Sequence, residues 1–206
     1  MFFRFKKTLE VTFSKIMPAG GAWQLTSEVV PYDPTTLQFA MSTGVGEAIG
    51  VALGHITYNK MFNSETVSDE ENLQMAGLYG TAAACSGTVW QPTVDLLQSL
   101  PYPLVVLGTG IVCGTSFYTG LRATRWSSPK RTLKYITNEP EDQLSDLQLS
   151  VAISGATGCF VLTDCVLTPT TPTLDACAIA GMATSSGFLV TQSVLNTLPG
   201  RMWTDL

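Results

Sequence analysis

The sequence predicts an all-α protein whose hydrophobic helices span a membrane. Charged residues make up only 13% of the 206 residues, whereas ordinary soluble domains carry about 25%. Several runs of about 20 residues, the length that a membrane-spanning helix needs, contain no charged residue. Small residues recur at helical spacing along these runs, which is typical of helices that pack closely inside a bilayer.

Four runs are predicted to cross the membrane, at residues 72–94, 103–121, 147–163 and 176–198. Pro101 and Pro103 set the start of the second run, because proline is tolerated in the first turn of a helix but not in its interior. A fifth run, residues 37–62, is left open as a span because it carries Glu47 and His55 in its middle. We expect residues 37–206 to form one helical membrane domain.

Buried helices of a soluble protein are the alternative to membrane spans. Ser, Thr, Gly and Ala fill the runs, where a simple lipid anchor has Leu and Ile. Surface helices of soluble proteins, however, carry a charged outer stripe at 3.6-residue spacing. The runs have no such stripe, which favours the membrane interpretation.

The distribution of Lys and Arg favours a four-span layout. With four spans, all 11 basic residues fall on one side of the membrane, as the positive-inside rule expects. If residues 37–62 also cross, the four basic residues before residue 16 move to the other side. We therefore expect residues 37–62 to be buried, re-entrant or peripheral.

The segment GVGEAIGVALGH, residues 44–55, has two interpretations. Gly44, Gly46 and Gly50 resemble a variant dinucleotide-binding loop, but no β-strand pattern precedes them and no βαβ pattern follows. Gly46, Gly50 and Gly54 recur every four residues and share one face of a helix. Because a face without side chains lets another backbone approach closely, we predict helix packing at these glycines.

The other runs carry small residues with the same spacing. We predict helix contacts at Ala76, Gly80 and Ala84, at Gly110 and Gly114, at Ser154 and Gly158, and at Cys177, Gly181 and Ser185. A bundle with so many small-residue faces has more of them than its own helix contacts need, so some are available for contact with neighbouring proteins.

Glu47 and His55 are the polar candidates inside a run. Glu47 lies beside the Gly46, Gly50 and Gly54 face, where a carboxylate in a membrane is a candidate proton or ion site. His55 lies about 12 Å further along the helix axis, too far to pair with Glu47 directly. We prefer a structural hydrogen bond or a headgroup contact for His55 over a proton relay.

Composition and motifs argue against catalysis. The five cysteines form no C-x-x-C pair and are expected to be small apolar packing residues. No nucleophile motif occurs, and no paired acids lie at a useful spacing for acid–base work. The net charge of −5 disfavours nucleic acid as a partner. We expect no enzyme activity, metal or cofactor, and a structural phospholipid such as cardiolipin as the candidate bound molecule.

Basic residues are concentrated in two segments outside the runs. Within residues 1–36, an amphipathic helix is predicted to lie in the membrane interface; its apolar face is formed by Phe2, Phe5, Leu9, Phe13 and Ile16. Its composition resembles a mitochondrial targeting sequence. The stretches MPAGGAW and VVPYDPTT are expected to be loops, because prolines interrupt them.

The second basic segment opens the polar loop at residues 122–146. Its cations are candidates for contact with anionic headgroups such as cardiolipin, and docking to a partner protein is the alternative. The residues are Arg122, Arg125, Lys130, Arg131 and Lys134.

The last two runs contain AISGATGCFVLTDC and AIAGMATSSGFLVTQ. With their small-residue spacing, they resemble the Tim17/22/23 group of mitochondrial membrane proteins, which implies a helical bundle and a part in protein translocation. No functional residue follows from this resemblance.

We expect a non-catalytic accessory subunit of a large mitochondrial inner-membrane complex, either a respiratory-chain complex or ATP synthase, which stabilises assembly through other membrane subunits and lipids. The alternatives are a small channel or carrier with Glu47 in its pathway, and a Tim17/22/23-like translocase component.

Overall fold

The computed structural model describes residues 8–30, 37–62, 68–127, 146–168 and 170–197, and this part of the chain contains helices and no strands. The predicted all-α fold is confirmed. Six α-helices occur in the described residues: α1 (Met17–Val29), α2 (Leu37–Phe62), α3 (Asp69–Leu97), α4 (Tyr102–Ser127), α5 (Asp146–Val161) and α6 (Thr173–Thr197). A short 3-10 helix (Leu162–Cys165) follows α5.

Helix α1 covers MPAGGAW, so the loop predicted there is wrong. Pro18 lies in the first turn of α1, where the missing N–H has no intrahelical partner to lose. A π-helical stretch (Thr12–Ile16) leads directly into α1, and the chain is helical from Thr8. Most of VVPYDPTT lies outside the described residues.

In residues 8–16, the described part of the segment before α1, the side chains do not divide into the apolar and polar faces that were predicted. Phe2 and Phe5 of the predicted apolar face lie outside the described residues. Phe13 is exposed, whereas Ile16 and Lys15 are buried. The Lys15 ammonium lies 4.6 Å from the centre of the Tyr79 ring on α3, where a cation–π contact offsets part of its desolvation. The difference arises because this segment packs against α2 and α6 rather than lying apart from the bundle.

The six helices close into a ring. Each helix packs against the next one along the chain, and α6 packs back against α1. Neighbouring helices are antiparallel: a Cβ added at Gly46 would meet Thr26, whereas one added at Gly54 would meet Ser14. The start of α1 therefore lies at the same end of the ring as Lys60 of α2 and Arg122 of α4. We call this the basic end and the other the opposite end.

A glycine closes each of the six contacts in the ring. A Cβ added at any of these glycines would lie within 3.0 Å of the neighbouring helix, so the backbones approach too closely for a larger residue. In order from the α1–α2 contact to the α6–α1 contact, they are Gly50, Gly44, Gly120, Gly110, Gly187 and Gly181.

Among the described residues, two helical spans are long and apolar enough to cross a membrane, Tyr102–Arg125 and Thr173–Thr197. They correspond to two of the four predicted spans. Helix α5 is apolar but has only 16 residues, short of the roughly 20 that a span needs. Helices α2 and α3 are long enough, with 26 and 29 residues, but are too polar on average to meet the same test. Composition and length thus support the four-span layout only in part.

Candidate functional site

A cavity of about 30 Å³ lies inside the ring, nearer the opposite end. Every helix except α4 contributes to its wall, so five of the six helices meet at this cavity. Its lining residues are Ala19, Gly20, Trp23, Glu47, Ser86, Trp90, Thr157, Phe160 and Thr184. About 10–15 Å³ of such space is enough for one water molecule, provided that polar groups surround it.

Glu47 reaches this cavity from α2, between two close helix contacts. Gly46 packs on α1, and Gly44 packs on α3. The Glu47 carboxylate lies over Gly87 of α3, where an added Cβ would be 2.5 Å from Oε2. Glycine at position 87 therefore makes room for the carboxylate. In the described part of the chain, no side chain or backbone group donates a hydrogen bond to it.

Three aromatic rings form the apolar side of the cavity. Trp23 packs edge-to-face on Trp90 and on Phe160, with ring centres 4.3 and 4.9 Å apart. Trp90 and Phe160 are 5.5 Å apart. The indole nitrogens of both tryptophans are buried and have no hydrogen-bond partner among the described residues. An unpaired buried donor costs about 1–3 kcal/mol.

His55 belongs to a different polar cluster, nearer the basic end. Its Nε2 lies 3.2 Å from Asn59 Nδ2, which also donates to Asn72 Oδ1 of α3 at 3.0 Å. All three side chains are buried. The cluster ties α2 to α3, and it does not bring His55 to the cavity that holds Glu47.

Arg122 and Arg125 have different surroundings. Arg125 donates to Asp146 at 2.8 Å and so joins the end of α4 to the start of α5. Arg122 is exposed, with its guanidinium 5.8 Å from the Tyr118 ring. The remaining headgroup candidates, Lys130, Arg131 and Lys134, lie outside the described residues.

The predicted packing residues lie in helix contacts. Gly46, Gly50 and Gly54 face a stripe on the N-terminal helix formed by Ser14, Pro18, Ala22 and Thr26. On α3, Gly80 faces Ala48, Ala84 faces Gly44, and Ala76 is buried. Gly110 and Gly114 face Ser150 and Ser154, Gly158 faces Val106, and Gly181 faces Met17.

An apolar groove of about 860 Å³ runs along the outer side of α5, between α4 and α6. Its floor is made of small residues, including Ser154, Gly155 and Gly158, and Ile111 and Val190 are among the larger residues of its walls. The lining from α5 and the first residue of the 3-10 helix extends from Leu147 to Leu162, which at 1.5 Å per residue is about 22 Å.

Trp23 and Trp90 are the site residues that sequence reasoning missed. Trp23 lies in the stretch that was expected to be a loop, and Trp90 sits inside a predicted span without any neighbouring motif. One signal was present: both are amphipathic aromatics, and their N–H groups require a partner when buried.

No protein-family model, curated protein or solved structure matches this chain. The resemblance to the Tim17/22/23 group therefore rests on the quoted residues alone.

Proposed function

We propose that this chain is an integral membrane protein and a non-catalytic subunit that stabilises a larger assembly through helix packing. The observation that carries this proposal is the distribution of polarity, with an apolar outside and a polar inside. Soluble proteins place most polar side chains at the surface and fill the interior with apolar ones.

Helix α2 shows this distribution along its length. Its outer side is a stripe of large apolar side chains, each at least 52% exposed: Leu37, Met41, Val45, Ile49 and Leu53. Its inner sides carry glycines together with buried Thr43, His55 and Asn59. Hydropathy averaged over all residues of α2 combines the apolar outer side with the polar inner sides. This explains why α2 is not apolar on average although its outer side is.

Helices α4 and α6 repeat the pattern. Leu107 and Ile111 of α4 and Val190 of α6 are exposed, whereas Thr109 and Gln192 are fully buried. Contiguous exposed apolar surface of this extent marks contact with lipid or with other proteins.

The ends of the ring differ in charge. In the described residues, all Lys and Arg lie in the half of the ring toward the basic end: Lys15, Lys60, Arg122 and Arg125. The other seven fall in segments that adjoin helix ends on that side in the sequence. If all six helices cross the membrane, α1 and α2 cross as an antiparallel pair, so the basic residues before α1 stay on the same side as the others. Six passes then satisfy the positive-inside rule. The layouts weighed from the sequence had only four or five spans.

The groove on α5 is a suitable seat for a helix of another subunit. Its small-residue floor lets a backbone approach closely. Its length of about 22 Å exceeds half of a hydrocarbon core of about 30 Å, so an occupant that fills it crosses the membrane midplane. A helix does this, whereas an acyl chain from one leaflet does not.

The proposed location is the mitochondrial inner membrane, in a respiratory-chain complex or ATP synthase. Two sequence features support it: the basic, acid-poor N-terminal segment and the resemblance of the last two helices to mitochondrial membrane proteins. Anionic phospholipid at the basic end, beside exposed Arg122, fits the same membrane.

Membrane preparations from cells that express the tagged full-length chain test this proposal. After alkaline carbonate washing, the chain is expected to stay in the pellet. After solubilisation in mild detergent, native electrophoresis should place it in a complex with other membrane proteins. Release by carbonate contradicts the membrane assignment. A monodisperse monomer that transports ions or solutes in liposomes contradicts the role as a structural subunit.

A further inference from the structure

We propose that Glu47 is a proton-binding site inside the bundle, where its side chain is a neutral carboxylic acid at pH 7. The proton takes the place of the positive charge that a buried carboxylate requires. This inference goes beyond the proposed function, in which Glu47 has no part, and it does not depend on a partner subunit.

The first argument is the position of the carboxyl group. Glu47 lies about 15 Å along α2 from Leu37 and lines the cavity where five helices meet. Its side chain is partly accessible, as expected beside a cavity, while protein atoms surround the carboxyl group densely. The cavity of about 30 Å³ holds about two water molecules at most, too few to replace bulk solvent around a carboxylate.

The second argument is the distribution of positive charge. A carboxylate that is withdrawn from bulk water needs a positive partner, and without one it takes up a proton. His55, the single histidine of the sequence, lies about 12 Å further along the helix axis. Among the described residues, the Lys and Arg side chains all belong to the half of the ring toward the basic end, and none lines the cavity: Lys15, Lys60, Arg122 and Arg125.

The third argument is the chemistry of the groups around Glu47. From the other five helices, the side chains that surround it are aromatic, hydroxyl or thiol groups, and none of these in the described structure is a cation. The Cys113 thiol of α4 is the titratable group among them, and a thiol has no positively charged form. In helix order, the polar and aromatic residues are Trp23 of α1, Ser86 and Trp90 of α3, Cys113 of α4, Thr157 and Phe160 of α5, and Thr184 of α6.

A metal ion is the alternative source of positive charge, and the cavity suits it poorly. Mg²⁺ and Ca²⁺ take six or more oxygen ligands, whereas the side chains lining the cavity offer one carboxyl group and the hydroxyls of Ser86, Thr157 and Thr184. The aromatic part of the wall supplies no oxygen. A neutral acid needs only one acceptor for its O–H, and a hydroxyl oxygen can serve as that acceptor.

The consequence is that protonation of Glu47 is coupled to the α2–α3 contact. The carboxyl group lies over Gly87 of α3, where an added Cβ would be 2.5 Å from Oε2, and Gly44 packs on the same helix. Loss of the proton places an uncompensated charge at this contact. The folded chain therefore holds a proton that the unfolded chain releases near pH 7, so the stability of the fold is expected to decrease as the pH rises.

The experiment is infrared spectroscopy of the full-length chain at pH 7 in a maltoside detergent, which has no carbonyl group of its own. A protonated carboxylic acid gives a carbonyl stretching band that a carboxylate lacks. Exposed glutamates are about 99% or more ionised at this pH and do not contribute. We expect an acid band in the unmodified chain that moves in D₂O and moves again when the chain is made with ¹³C-labelled glutamate.

Two variants assign the band to its residue. Glu47→Gln, which has nearly the same shape and cannot be ionised, is expected to remove the acid band. Glu28→Gln is the matched control, because Glu28 is an exposed glutamate at the end of α1, and it is expected to leave the band unchanged.

Denaturant titration at a series of pH values is the second readout. Around neutral pH, one proton released on unfolding lowers the folding equilibrium constant about tenfold per pH unit. We expect this decrease in the unmodified chain relative to Glu47→Gln, in which position 47 cannot titrate. The same pH dependence in both chains contradicts the proposal.

Three spectroscopic results overturn the proposal. The first is the absence of an acid band in the unmodified chain at pH 7, a measurement that needs no variant to fold. The second is an acid band that persists in Glu47→Gln, which assigns the proton to another residue. The third is an acid band that is weak in sodium and becomes strong when N-methylglucamine replaces sodium at constant pH, which indicates that a metal cation neutralises Glu47.

Discussion

The α1–α2 contact and the groove on α5 are built from the same kinds of small residue, but only the first is covered by another helix of this chain. Along α2, Gly46, Gly50 and Gly54 are covered by a helix of the same chain. Along α5, Gly155 and Gly158 form the floor of an open groove. A stripe of small residues therefore indicates that a backbone fits there, but it does not indicate whether the same chain or another one supplies it.

The partner stripe explains why the first contact is filled. Ser14, Pro18, Ala22 and Thr26 also recur every four residues, so two narrow faces meet in antiparallel register over three turns. Helix α5 has no third neighbour in the ring on its outer side, because α4 and α6 flank it and the ring closes elsewhere.

The largest effect is expected for Gly50→Leu. An added Cβ at Gly50 would lie 2.5 Å from the Pro18 carbonyl oxygen and 2.6 Å from the Ala22 Cβ, so a leucine forces α1 away from α2. We expect the free energy of unfolding in detergent to fall by about 3 kcal/mol or more, the upper range for overpacking. Denaturant titration followed by circular dichroism measures it.

The matched control is Gly77→Leu, because a Cβ at Gly77 meets nothing within 4 Å. Its expected change is a gain in stability of about 0.5–1 kcal/mol, because leucine has a higher helix propensity than glycine at an exposed helix position. Equal losses for the two leucine variants would show that a leucine side chain is tolerated poorly anywhere on the bundle, and that the close approach to α1 does not explain the effect.

A smaller effect is expected for Asn59→Leu, which alters the bundle interior without touching a glycine contact. The substitution leaves Asn72 Oδ1 without the hydrogen bond that Asn59 donates. The expected loss is about 2 kcal/mol, within the range for an unpaired buried polar group. Gln24→Ala, which removes an exposed hydrogen bond to Glu28, is the control and should cost much less in the same titration. Similar costs for the two variants contradict a structural role of the His55 cluster.

The smallest effect on stability is expected for Thr115→Trp in the wall of the groove. Thr115 is exposed and lines the open side, so the change in unfolding free energy is expected within about 0.5 kcal/mol. Assembly, however, should be lost, because the indole fills the seat of the partner helix. Native electrophoresis of solubilised membranes measures this.

The control for the groove is Val45→Trp, which places the same side chain on the exposed stripe of α2. It is expected to leave the complex intact. Loss of assembly with both tryptophan variants would mean that the groove has no special role, and retention with both would mean that it is not a contact surface.

Most helix positions follow from the sequence, since charges and prolines bound the uncharged runs. The predicted span at 72 begins close to Asp69, where α3 starts, and the candidate at 37–62 coincides with α2. Helix α1 escaped prediction because Pro18 and the glycine pair after it resemble a loop. Its helical state depends on the partner face of α2, which no local pattern records.

The cavity was predictable only in part. The position of Glu47 beside the glycine face placed its carboxylate at a packed edge, and the structure puts it in the cavity wall. Trp23 and Trp90 line the same cavity as Glu47 because α1, α2 and α3 pack side by side, and the ring closure between α6 and α1 brings Thr184 to the same wall. Ring closure brings together residues far apart in the sequence, and spacing within a single helix carries no information about it.

The most direct test of the central claim, that the outer surface of the bundle faces lipid, is a collision measurement at Ile49. This residue lies at the middle of α2 on the exposed apolar stripe. A spin label is attached to Ile49→Cys in a background without the five native cysteines, and the chain is reconstituted into liposomes. We predict that oxygen, which dissolves in lipid, relaxes the label strongly and that a water-soluble nickel chelate does not. Strong relaxation by the nickel chelate with weak relaxation by oxygen would place this surface in water and contradict the account.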